Sequence, residues 1–240
     1  SIPFAAKFGG ATGNFNAHKV AFPNIDWKKF ASSLLNDLGL KASDILQSNG
    51  VIWVEGPSDR NFINKWIEIL SPELKEGLHY LIMFYGGRLL SNLSFDFEWL
   101  KKEVIPLLKI NRNAYVIIDR DGKTINTKLN QTKIRIQDEI GENRCWITKG
   151  REIENYLSDK TLSTWLLEKH GYKTKINNEK NIKLEVNIQN SDNKVKLKYN
   201  LNKTIHSLEI SEFIDENSLD ILDLRQNLNQ LIEAIKEWNK

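Results

Sequence analysis

Short, unbroken apolar runs alternate along the chain with stretches in which apolar residues recur every three or four positions. Val51–Val54 (VIWV), residues 78–85 (LHYLIMFY), Ala114–Ile118 (AYVII) and residues 144–148 (RCWIT) are the apolar runs. Runs of this kind, closed by turn residues, read as strands buried on both faces of a sheet. Glu55 closes the first run, Gly56 and Pro57 turn the chain, and Ser58 or Asp59 is placed to cap a helix. Phe62, Ile63, Trp66, Ile67 and Leu70 then lie at helical spacing over residues 61–70. Residues 98–110 and 129–140 read as further helices, with Pro106 marking a break or a new first turn in the former. Gly86-Gly87-Arg88 turns the chain after the second run, and residues 150–157 (GREIENYL) begin another turn-to-helix element. Upstream, residues 31–46 read as a short amphipathic helix followed by a further turn.

Short strands alternating with longer helices are the signature of βαβ units. The expected fold class is therefore α/β, a Rossmann-like, mostly parallel sheet flanked by helices. Right-handed crossovers would gather Glu55, Gly86, Asp119 and Glu152 at one sheet edge. Beyond Thr161 the pattern changes. Residues 182–188 and 195–199 alternate apolar and polar positions around a turn-rich 189–193, which predicts a hairpin. Residues 220–238 carry Ile221, Leu224, Leu228, Leu231, Ile232, Ile235 and Trp238, a long amphipathic helix docked on the core. The expected organisation is 1–33 as a separate fragment, 34–160 as the α/β domain, and 161–240 as a C-terminal hairpin and helix.

Composition changes this picture little. With 40% hydrophobic and 27% charged residues the chain suits a globular protein. The sequence has no basic region leading an apolar core at its start and no apolar run of membrane-spanning length. The single cysteine, Cys145, excludes an internal disulfide and suits a reducing cytoplasm; its apolar neighbours predict a packed thiol, not a nucleophile. Net charge is only +3, but residues 101–151 hold twelve Lys/Arg against six Asp/Glu. A basic excess beside acidic strand tips suits a site that holds a cation and attracts a polyanion, although a solvated helix face gives the same count.

The candidate chemistry sits at the strand tips. Asp119, Arg120 and Asp121 follow the third strand as Glu55 follows the first. Open α/β sheets bind ligands beyond the C-terminal ends of their strands. Several carboxylates from different tips are what a pair of hard divalent cations needs for phosphodiester hydrolysis. Asp119 and Asp121, two apart in extended chain, point the same way and would hold one Mg²⁺ or Mn²⁺; Glu55 with Asp59 would hold the other, and Glu152 and Glu154 would complete either shell. Asp59 equally suits a helix cap, Glu154 a surface charge, and Asp121-Gly122 a plain turn. Arg88 and Arg151 either contact phosphate or pair with the carboxylates, and Lys123 adds to the basic surface beside them.

The set VIWVEGPSD, YGGR, VIIDRD and GREIENY resembles the Toprim domain of the OLD-family nucleases, over residues 34–157 and loosely to the C-terminus. The resemblance implies a Toprim-like sheet and a DNA endonuclease or nickase of phage-defence type. It also implies two Mg²⁺ or Mn²⁺ ions held by the acids and a lysine nearer the C-terminus, for which Lys194 is the nearest match and Lys196 the second. In that family the domain usually follows an ABC-type ATPase half, and no Walker A loop occurs in this sequence; DNA is the implied partner, with a separate ATPase subunit and a second copy in a homodimer as further candidates. Residues 7–30 (KFGGATGNFNAHKVAFPNIDWKKF) are instead similar to a stretch of adenylosuccinate lyase, whose glycine loop lies near the substrate. The lyase's Thr-His motif and Ser-Ser-x-Met-Pro loop have no counterpart here, which leaves His18 without catalytic partners. The expected reading is a nuclease carrying a lyase-like piece. The alternatives are a lyase fragment and an inactive Toprim module that only binds.

Overall fold

The computed structural model describes residues 48–85, 111–122, 128–173, 176, 178, 187–189, 195–198 and 202–240. Strands β1 (Val51–Val54), β2 (Leu81–Phe84), β3 (Ala114–Ile118) and β4 (Cys145–Ile147) form one parallel sheet in the order β2-β1-β3-β4. Helix α1 (Pro57–Leu70) links β1 to β2, and α2 (Gln131–Ile140) links β3 to β4. The chain moves outward from β1 in one direction and from β3 in the other. With right-handed crossovers, α1 and α2 therefore take opposite faces, and the point of reversal lies between β1 and β3.

Strand alternation divides the core cleanly. Ile52 is level with Ile82 and Tyr115, and Ile117 with Trp146. These residues join Phe62, Ile63 and Trp66 of α1 in the main core. The alternate positions, Trp53, Met83, Val116 and Cys145, are also level with one another and buried. Both faces are thus covered, which is why the strands read as continuous apolar runs. Cys145 is buried there, and loss of water pushes its thiol up to about 12, as a packed core cysteine requires.

Three further helices complete the main core. Helix α3 (Asp159–His170) starts at Ser158, whose hydroxyl accepts from the Thr161 amide, and ends at Gly171 in a left-handed conformation. Helix α4 (Lys203–Ser211) packs against α1 and α3. Helix α5 (Leu224–Trp238) buries Leu224, Leu228, Leu231, Ile232 and Ile235 along one stripe. At its end Trp238 closes over Gly50, where a Cβ would stand 2.0 Å from the indole ring. The hairpin strands β5 (Asn187–Gln189) and β6 (Val195–Lys198) pair antiparallel, with a register shift at Ile188/Gln189.

The boundaries differ from the periodicity reading in physically sensible ways. Helix α1 starts at Pro57, not Asn61, because proline fits the first helical position and Gly56 serves as N-cap. Leu78 and His79 are turn and Tyr80 makes only an isolated bridge to Glu76: the Gly77 amide bonds the Tyr80 carbonyl and closes a tight loop before β2. Arg144 ends a 3₁₀ turn, Glu142–Arg144, and residues 153–156 form another, Ile153–Tyr156, instead of an α-helix. The predicted elements at 31–46 and 98–110, the Gly86-Gly87-Arg88 turn and the 1–33 fragment lie outside the described residues. Among the described residues no helix is long and apolar enough to cross a membrane.

Candidate functional site

Glu55 and Asp119 each stand one residue beyond the last residue of β1 and β3, the two strands that flank the reversal point. A cleft opens there in open α/β sheets because successive crossovers diverge to opposite faces. The tip loops are then tied together. The Thr148 amide bonds the Ile118 carbonyl at 2.9 Å, and the Asp121 amide bonds the Arg151 carbonyl at 2.9 Å. The Thr148 hydroxyl accepts from the Arg120 amide and donates to the Gly150 carbonyl. These bonds carry the β3–β4 pairing past the strand ends and lock residues 119–121 against residues 148–151.

Asp59 lies in the first turn of α1, and its Oδ2 accepts from the backbone amides of both Glu55 and Gly56 at 3.0 Å. It therefore acts as a helix cap, and in the same position it forms the wall of the strand-tip cluster. Burial, then the neighbouring Glu154 charge, push its carboxyl up to about 7 despite those two bonds. Asp119 is pushed well above the carboxylate range by burial, then by Asp59, Glu154 and Glu55. Glu55 is raised by burial and then by Asp121. The carboxylates thus feel one another strongly. Asp121 heads the charges that raise Glu55, whereas Asp59 and Glu154 head those that raise Asp119.

The backbone at Asp121 has φ +58. A left-handed residue breaks the two-residue alternation, so Asp119 and Asp121 do not point the same way along an extended chain. The Asp121 side chain is 66% exposed and pairs with Lys133 Nζ at 2.8 Å. Lys133, from the first turn of α2, is itself buried and also donates to the Asp119 and Arg120 carbonyls. It pins the acidic loop from below.

Glu152 and Glu154 flank the start of the Ile153–Tyr156 turn, and both are buried. The surface-charge reading of Glu154 is wrong: it is fully enclosed, and its Oε1 sits 2.5 Å from Lys203 Nζ. Asn178 holds the turn by donating to the Glu154 and Leu157 carbonyls. Beneath it, the Tyr156 hydroxyl accepts from the Lys149 amide and donates to Asp223 at 2.5 Å. Lys203 is the residue that sequence reasoning missed. Burial opposes its charge, but Glu154, Glu152 and Asp59 outweigh it and raise the ammonium pKa. Lys196 lies in β6, and Arg88, Lys123 and Lys194 lie outside the described residues. Arg151 enters the tip loops through its carbonyl.

The donor set is made of carboxylate oxygens, with Lys203 and Lys133 as the opposing cations. Crowded, desolvated carboxylates whose affinity for protons is raised are equally short of positive charge, and hard cations such as Mg²⁺ and Mn²⁺ take oxygen ligands. Carboxylate oxygens are the donors such ions take, but among the described residues no three of these groups bring ligand atoms within 4.8 Å of one another. Among the described residues, three ligand atoms all within 4.8 Å of one another occur instead at His170, His206 and Glu209.

No family model matches the chain, and no solved structure matches it. Short stretches are similar to adenylosuccinate lyases. One, from Dictyostelium discoideum, is 55% identical over 38 residues, 16% of this chain and 8% of the lyase. Another, from Legionella pneumophila strain Corby, is 51% identical over 35 residues, and the Escherichia coli K12 enzyme is 38% identical over 40. The matched stretch thus spans only 8–9% of these relatives' length.

Proposed function

We propose that the strand-tip cluster is the centre of a Toprim-type nuclease of the OLD branch, cutting or nicking DNA with two Mg²⁺ or Mn²⁺ ions. The observation that carries this reading is the position of Glu55 and Asp119 at the tips of the two strands flanking the reversal point, electrostatically coupled to buried Asp59 and Glu154. Glu55, Asp59, Asp119 and Asp121 are the residues that would hold the ions, with Glu152 and Glu154 completing the shells. When bound, such ions position an attacking water and stabilise the oxygens around the scissile phosphorus.

The chain's own groups supply the rest. Lys133 fixes the loop that carries Asp119 and Asp121. Lys203, kept protonated by Glu154, presents a fixed ammonium to a phosphate oxygen and offsets the charge that develops on it. In this reading Lys203 takes the part that the resemblance gives to Lys194. Arg151 and the other basic residues of 101–151, Lys123 among them, together with Arg88 attract the phosphate backbone. Asp119→Asn keeps the side-chain shape and removes one ligand charge. Nicking of supercoiled plasmid by the purified chain in Mg²⁺ or Mn²⁺ should fall at least about a hundredfold, with DNA binding kept or slightly tightened. Equal cutting by the variant rejects the site, and no cutting by wild type under any of these conditions favours the inactive module or a required ATPase partner.

The lyase matches support a second reading, adenylosuccinate cleavage. It predicts release of fumarate from adenylosuccinate by the purified chain. The stretch matched is a small part of those enzymes, so the nuclease reading accounts for more of this molecule.

A further inference from the structure

We propose that His170, His206 and Glu209 form a binding site for a Zn²⁺-class transition-metal ion that joins α3 to α4. His206 and Glu209 are one helical turn apart and share a face of α4. His170 is the last residue of α3 and reaches the same point from the facing helix. One ligand atom from each lies within 4.8 Å of the other two. His170 Nε2 and Glu209 Oε2 are 3.2 Å apart. Ligands bound at about 2.0–2.1 Å in a tetrahedron are separated by roughly 3.3 Å, so that edge already has the required length. The His206 ligand atom lies within 4.8 Å of both.

The surroundings orient these groups. Trp165 is fully buried, and its Nε1 donates to Glu209 Oε2 at 2.9 Å. The same Oε2 both accepts from Trp165 and faces His170, and ligating carboxylates commonly accept such a supporting hydrogen bond. The same indole packs against both imidazoles, 5.1 Å from His170 and 5.4 Å from His206, which fixes the ring planes. His206 is only 5% exposed, whereas His170 and Glu209 reach solvent, so an ion has an entry path and a water can fill the fourth position. Two imidazoles and one carboxylate select borderline ions such as Zn²⁺, Co²⁺ or Ni²⁺ over Mg²⁺. The proposal is independent of the nuclease reading.

The test is Zn²⁺ titration of the untagged full chain against a chromophoric competitor, with Mg²⁺ in excess. One equivalent should bind and raise the melting temperature by about 5 °C or more at a hundredfold excess over Kd. Co²⁺ in its place should give the intense visible bands of a four-coordinate nitrogen–oxygen site. Glu209→Gln keeps the acceptor for Trp165 and should weaken Zn²⁺ binding by more than about a hundredfold. His170→Gln, at a partly exposed helix end, checks the result should Glu209→Gln fold poorly. Glu55→Gln combined with Asp119→Asn should leave Zn²⁺ affinity unchanged. Absence of one-site binding, unchanged affinity in both ligand variants, or loss of binding only in the Glu55/Asp119 variant overturns the proposal.

Discussion

Asp59 caps a helix and stands within a cluster of buried carboxylates at the same time. It satisfies two backbone amides at the start of α1 and still stands among charges that push it up to about 7 from its ordinary 3.8. The folded chain therefore binds this proton more tightly than the unfolded chain does. Stability from this group is full below about 3.8 and is lost as pH rises through about 7. Without divalent cations, thermal melts of wild type should lose more stability than Asp59→Asn between pH 5 and pH 7.5, and Mn²⁺ should restore more at the higher pH. Parallel melting curves for the two proteins would show that Asp59 carries no such shift. Lys203 makes the opposite case. Replacing it by Met strands Glu154 in a dry site and should cost about 3 kcal/mol in urea unfolding, near the low end for a buried pair because Lys203 is one-third exposed. Addition of Mg²⁺ or Mn²⁺ should return part of that loss. Glu55 and Asp119 were legible because they follow apolar runs directly, and Glu152 and Glu154 because a short turn separates them from the fourth strand. Lys203 was not, since nothing in its local sequence marks a lysine that reaches a glutamate so distant in the chain.

At the level of elements, the four strands and α5 were readable because each buries a regular apolar pattern. Helices α3 and α4 were not. In α3 the stripe of Leu162, Trp165 and Leu166 is blurred by an exposed Leu167, and the better signal was the pair of caps, Ser158 and Gly171. Helix α4 inverts the rule. It buries His206, Ser207 and Ser211 along with Ile210, and exposes Ile205 and Leu208 by 57% and 55%, so two of its three isoleucine and leucine positions mark the wrong face. The buried polar groups are used: Ser207 accepts from Asn61, and Ser211 donates to the Ser207 carbonyl. The contact between α5 and the sheet end rests on the bare Cα of Gly50 beneath Trp238. Gly50→Ala should destabilise the chain by about 1–3 kcal/mol through overpacking, and Trp238→Leu should relieve part of that cost. Additive losses in the double variant would mean that the two residues do not press on one another.

For the whole molecule, the parallel α/β architecture and the direction of its strand tips followed from the alternation of runs and helices. The strand order did not. The same pattern fits several orders, and the observed β2-β1-β3-β4 puts Glu55 and Asp119 beside the point where the chain reverses. The central claim is that this cleft, and not the His170 cluster, holds the ions used on a phosphodiester. Crystals soaked in Mn²⁺ and measured by anomalous diffraction test it most directly. The account predicts two peaks about 4 Å apart, bounded by Glu55, Asp59, Asp119 and Asp121. Manganese bound only at His170, His206 and Glu209, with no peak between the tips of β1 and β3, would contradict it.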